Sequence, residues 1–142
     1  AEICADVELF PSGTPCTIFL DFDRTLCSTK GGRSPLAGIH STDAELAGLT
    51  ATHPTYVVTR NPHHSEIETF LAERKINVAG VHVVPKRASK ADVMLQLMPS
   101  LADEANKGTI MAVFVDDDIR ELTRASVAGL PLLRVLFSRT GL

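Results

Sequence analysis

The chain has 142 residues, 44% of them apolar and 22% charged, with a formal net charge of -3 at pH 7. That length suits a single domain with a real hydrophobic core, and the charge balance excludes both disorder and a polybasic nucleic-acid surface. Three cysteines, Cys4, Cys16 and Cys27, lack C-x-x-C spacing, and their odd number argues for a reducing compartment over a disulfide framework. No run approaches the ~18 apolar residues of a membrane span, and no basic stretch followed by an apolar one is visible near the start. The expectation is therefore a cytoplasmic protein with no membrane partner. The chain opens on Ala1 rather than Met, as a processed form or a piece of a longer protein would.

Residues 1 to 15 carry Pro11, Gly13 and Pro15 and read as a lead-in to a core over 16 to 137. Cys16 to Asp21 predicts a strand buried on both faces, since Ile18, Phe19 and Leu20 are consecutive apolar residues. The strand ends abruptly in Asp21 and Asp23, two carboxylates one residue apart. Residues 27 to 35, polar and glycine-bearing, predict a mobile loop or small hairpin beside them.

Thr42 to Glu45 has capping-box spacing and predicts a helix to about Thr52 with Leu46 and Leu49 inward. Tyr56 to Val58 is a second strand ending at Thr59, Arg60 and Asn61. Asn61 and Pro62 suit the N-cap and first position of a second helix, which turns Ile67, Phe70 and Leu71 inward. Val81 to Val84 is a third strand. Ser89 to Asp92 predicts another capped start, followed by Val93, Met94, Leu97 and Met98 on a helix. Residues 99 to 108 are a polar connection with room for a helical turn.

Thr109 to Val115 is the most apolar stretch and ends in Asp116, Asp117 and Asp118. Asp118 and Glu121 have capping-box spacing for a helix from Ile119 to Ala128, closed by Gly129, and Leu132 to Phe137 is a fifth strand. Strand and helix alternate throughout. The predicted fold is an α/β/α Rossmann-like domain with a parallel sheet of about five strands. In such sheets ligands bind beyond the carboxyl ends of the strands, where Asp21, Thr59, Lys86 to Lys90 and Asp116 to Asp117 all fall.

Taken singly, these polar groups have ordinary explanations: Asp118 and Asn61 as caps, Thr59 as a backbone partner, Lys90 as a solvated side chain. Two acidic clusters after two separate buried strands need more, because capping uses one carboxylate per helix. Carboxylates without His or Cys ligands suit Mg²⁺, which would relieve their repulsion. A carboxylate beside a metal, a lysine and a hydroxyl can hold a phosphoryl group, and it can attack phosphorus to give an aspartyl phosphate.

Asp21-Phe22-Asp23-Arg24-Thr25-Leu26 resembles the first motif of the haloacid-dehalogenase-like superfamily, Asp-x-Asp-x-Thr after an apolar strand. Val57-Val58-Thr59 is similar to its second motif, Lys90 to its third and Phe114-Val115-Asp116-Asp117 to its acidic fourth. The resemblance implies a Mg²⁺-dependent phosphatase. Asp21 would be nucleophile and metal ligand, and Asp23 the proton shuttle, with its backbone carbonyl on the metal. Thr59 and Lys90 would hold phosphoryl oxygens, and Asp117, with Asp116 sharing or orienting, would complete the metal site. Thr25 would brace the loop.

Arg24 stands where many members have Gly, and it either meets an anionic substrate or faces solvent. Arg60 has the same two readings. Lys86 competes with Lys90 for the third motif. His63 and His64 lie near Thr59, with a surface role favoured, and Cys27 has a packing role favoured over an oxidisable one. Neither interval between motifs has room for a cap domain, and capless members have open sites that often admit proteins or nucleic-acid ends, although the charge here does not indicate nucleic acid. The alternatives are phosphotransfer to an acceptor other than water, and a non-catalytic binding domain of a larger protein.

Overall fold

The computed structural model describes residues 16 to 139; the lead-in expected over 1 to 15 lies outside them. The elements run β1 (Thr17–Leu20), α1 (Ala44–Thr50), β2 (Thr55–Thr59), α2 (His64–Glu73), β3 (Gly80–Val83), α3 (Lys90–Leu97), α4 (Ser100–Asp103), β4 (Ala112–Asp116), α5 (Ile119–Val127) and β5 (Leu132–Leu136). The five strands form one all-parallel sheet in the order β3-β2-β1-β4-β5. This is the three-layer α/β architecture expected from the alternation of elements. Among the described residues no helix is long and apolar enough to cross a membrane.

The side-chain period of two divides each central strand between two cores. Ile18, Leu20, Val57, Val113 and Val115 face one core, packed against Leu46 and Leu49 of α1 and Ile67, Phe70 and Leu71 of α2. Phe19, Val58, Ala112 and Phe114 face the other, against Ala91, Val93 and Met94 of α3, Leu101 of α4 and Leu122 and Ala125 of α5. Both faces being covered is why these strands read as unbroken apolar runs. The chain winds outward from β1 to β3, then crosses back to place β4 against the other side of β1. That reversal of direction sends α3 to α5 to the opposite face, as right-handed crossovers require.

The crossing back also creates the crevice where the site lies. Leu20 is in register with Val115, so Asp21 and Asp116 follow level with each other at the carboxyl ends of adjacent strands. The Asp21 amide donates to the Val115 carbonyl, keeping the two ends together past the last paired residue. The β1–β4 junction is the topological switch point of this sheet, where helices depart to opposite faces and leave the strand ends uncovered.

Two helix starts differ from the sequence expectation, and at a third the expected capping box does not close. The α1 cap is Asp43, not Thr42: its side chain accepts from the Leu46 amide. The second helix starts at His64 with His63 at the cap position, while Asn61, assigned there from sequence, accepts from the His63 amide through Oδ1 and turns its side-chain nitrogen into the site. Asp118 does cap α5, accepting from the Arg120 amide, but Glu121 closes no capping box and reaches Arg60 instead. The box at Ser89 and Asp92 forms in full. Gly129 ends α5 with φ 72, and an added Cβ would strike the Asn106 side chain, so only glycine suits this turn.

Candidate active site

Lys90 opens α3 and is the centre of the site. Its ammonium donates to Asp21 Oδ1 at 2.8 Å and to Asp116 Oδ2 at 2.7 Å, and it is only 3% exposed. The capping box at Ser89 and Asp92 fixes the first turn, which aims Lys90 across the ends of β1 and β4. Lys86 is exposed on the rim of the same crevice. Thr25 is fully buried, and its hydroxyl donates to Asp21 Oδ2 at 2.9 Å, so both oxygens of Asp21 are held.

Burial raises the pKa of Asp21 to about 6; Lys90 opposes the rise, and the nearby Asp117 adds to it. Asp116 is also pushed up to about 6, by burial and then by the charge of Asp21, again against Lys90. Asp117 is raised mainly by burial. At Lys90 burial acts downward, yet the two carboxylates outweigh it and the net shift is upward. The pairing is thus unequal: one ammonium serves two buried carboxylates, so desolvation wins at the acids and attraction wins at the base. Near pH 7 Asp21 and Asp116, with pKa values of about 6, are ionised and carry more negative charge than Lys90 neutralises.

Asp21, Asp116 and Asp117 each bring a carboxylate oxygen within 4.8 Å of the others. In an octahedral Mg²⁺ site with oxygens at about 2.0–2.1 Å, neighbouring oxygens stand roughly 3 Å apart and opposite ones roughly 4 Å, so the three carboxylates would draw closer together to hold one ion. The donor set, all hard oxygens, suits it as well. The Asp23 carboxylate belongs to a different network. Its Oδ1 accepts from the Thr29 hydroxyl at 2.6 Å and the Asn61 side-chain amide at 3.1 Å, and its Oδ2 accepts from the Gly32 amide at 2.9 Å. Three donors fix this carboxylate at the edge of the crevice.

Asn61 and Thr29 are the members of the site that the sequence reading passed over. Both are buried, and a buried polar side chain needs partners. Asn61 donates to Asp23 and, at 2.8 Å, to the Arg33 carbonyl, while its Oδ1 accepts from the His63 amide. It thereby ties β2 to the loop that follows β1. The available signal was its place two residues beyond Thr59, which also suits a helix cap. The loop itself is hairpin-like where it leaves the site: the Ser28 amide donates to the Ser41 carbonyl, and Cys27 bridges Thr42 antiparallel.

Thr59 is buried at the end of β2, where its hydroxyl oxygen accepts from the Asn61 amide at 3.0 Å. Thr59, Asp21, Asp23, Lys90, Asp116 and Asp117 all line one cavity of about 690 Å³. Arg60 also borders it, but its guanidinium is engaged, donating to Glu121 at 2.8 Å and to the Ala88 carbonyl at 2.9 Å. His63 pairs with Glu66, and His64 meets Glu68 and the Val81 carbonyl, so neither imidazole joins this constellation. Cys27 is fully buried and burial pushes its thiol up, as expected of a packing residue. Arg24 is exposed at the mouth with φ 59, a left-handed conformation that glycine adopts most readily.

Comparison of the chain with protein-family models, curated proteins and solved structures finds no match.

Proposed function

We propose that the chain is a capless member of the haloacid-dehalogenase-like superfamily and a Mg²⁺-dependent phosphatase that works through an aspartyl phosphate on Asp21. The observation that carries the reading is the convergence of Asp21, Lys90, Asp116 and Asp117 at the switch point, in one cavity with Thr59 and Asp23. Near pH 7 Asp21 is ionised and competent as a nucleophile, since its pKa is about 6. Its oxygen attacks phosphorus, the ester P–O bond breaks, and Asp23 gives a proton to the leaving oxygen. Water then attacks the phosphorus of phospho-Asp21, Asp23 takes its proton, and inorganic phosphate leaves with Asp21 restored. Lys90 and the Thr59 hydroxyl hold the phosphoryl oxygens. Asp21, Asp116 and Asp117 would hold Mg²⁺, which when bound supplies the positive charge that brings phosphate and carboxylate together.

Hydrolysis of an aryl phosphate with and without Mg²⁺ tests this. Turnover should require the ion and disappear in Asp21→Asn. Activity that survives Asp21→Asn, or an inert wild-type chain, refutes it. Label from a phosphorylated donor found on an acceptor other than water would instead identify a phosphotransferase.

A further inference from the structure

A second cavity, of about 510 Å³, abuts the first and shares Arg60, Lys86, Asp118 and Glu121 with it. Among the described residues its wall carries five cations, Arg60, Lys86, Arg87, Arg120 and Arg124, against three carboxylates, Asp92, Asp118 and Glu121. The surplus of two positive charges stands out in a chain of net charge -3. The carboxylates are already partnered. Asp118 pairs with Arg120, Glu121 with Arg60 and Arg124, and Asp92 closes the capping box with Ser89. Among the described residues Lys86 and Arg87 are left without an acidic partner, adjacent in sequence and exposed, Lys86 where the two cavities meet and Arg87 in the second.

Resting on the phosphatase reading, we propose that the substrate is a small organic bisphosphate. One phosphate enters the Asp21 site and the second, which is not transferred, is held by Lys86 and Arg87. A phosphate dianion matches the surplus of two charges, whereas a single carboxylate would neutralise half of it. Shared walls mean that a short molecule spans both cavities. Among the described residues no aromatic side chain lines the second cavity, so they offer no platform for stacked bases of a nucleic-acid strand. Arg60, clamped by Glu121 and the Ala88 carbonyl, forms the wall between the two phosphates and keeps the loop bearing Lys86 and Arg87 in place.

The test compares kcat/KM for matched pairs, a sugar bisphosphate against its monophosphate and a nucleoside bisphosphate against its monophosphate, with a 5′-phosphorylated oligonucleotide as a further arm. The bisphosphate should be preferred by about tenfold or more, mainly through KM, as expected for a charge-assisted contact to the second phosphate. Arg87→Ala should bring the ratio towards one and Arg87→Lys should keep most of it. Equal rates for the pair, a preference that survives Arg87→Ala, or an oligonucleotide preferred over both bisphosphates overturns the proposal. If no phosphate ester is hydrolysed, the phosphatase reading falls by itself, and calorimetric titration with a non-hydrolysable bisphosphonate decides the subsite. Binding that weakens in Arg87→Ala supports it, and binding that is absent or insensitive to Arg87→Ala overturns it.

Discussion

Replacing Lys90 by Met keeps the length of the side chain and removes the one ammonium that Asp21 and Asp116 share at 2.8 and 2.7 Å. Removing one member of a buried ion pair typically costs about 3–5 kcal/mol, because the remaining charge is left uncompensated. Here two carboxylates are left, so the upper part of that range is expected at about pH 7.5 in metal-free buffer. The sign of the pH dependence follows from the carboxylates. Both have pKa values of about 6 in the folded chain against 3.8 in the unfolded one. The folded state therefore binds more protons between these values, and stability falls as pH rises through that window. At about pH 5 most of both acids are protonated and need no cation, so the cost of Lys90→Met should shrink to roughly 1 kcal/mol. The upward-shifted Lys90 contributes stability that persists until pH rises past its ordinary value of 10.5, outside the range compared. Urea denaturation at the two pH values measures the difference. A loss below about 1 kcal/mol at pH 7.5, or an equal loss at both, would refute the coupling of Lys90 to two buried charges.

Mg²⁺ should raise the melting temperature of the wild-type chain more at about pH 7.5 than at pH 5, because protons compete for Asp21, Asp116 and Asp117; a pH-independent shift in thermal scans would place the ion elsewhere. Asn61→Ala removes one of three donors to Asp23 and should lower kcat for an aryl phosphate by about 10–100-fold with KM little changed; a change confined to KM would deny Asn61 its positioning role. Arg24→Gly should stabilise the fold by roughly 0.5–1 kcal/mol, the relief of about 1–2 kcal/mol of left-handed strain less about 0.5–1 kcal/mol for the freer unfolded chain. Chemical denaturation reads it, and a net loss would mean that Arg24 makes a compensating contact. Phe114→Ala should cost about 3–5 kcal/mol, since Phe114 is fully buried beneath α3 and α5; a cost near 1 kcal/mol would mean that this core collapses readily around the gap.

The sequence by itself determined the fold class and the strand ends. Apolar runs such as Ile18 to Leu20 and Ala112 to Val115 can be satisfied only in a sheet covered on both faces, and each stops where its carboxylates begin. It also marked Asp21, Thr59, Asp116 and Asp117, with Lys86 or Lys90, as one chemical set, because strand ends in a parallel sheet share one edge. What it could not decide was the direction of polar side chains with two available partners. Asn61 and Glu121 both sit at helix-cap spacing, and local geometry allows each to cap, as Asp118 does. Asn61 turns to Asp23 and Glu121 to Arg60 because those partners arrive from other elements, 38 and 61 residues away. The choice between Lys86 and Lys90 was of the same kind. Both follow β3 within a few residues, but only the position inside the first turn of α3 points across the β1–β4 junction, and that junction exists only once the chain has crossed back to lay β4 beside β1.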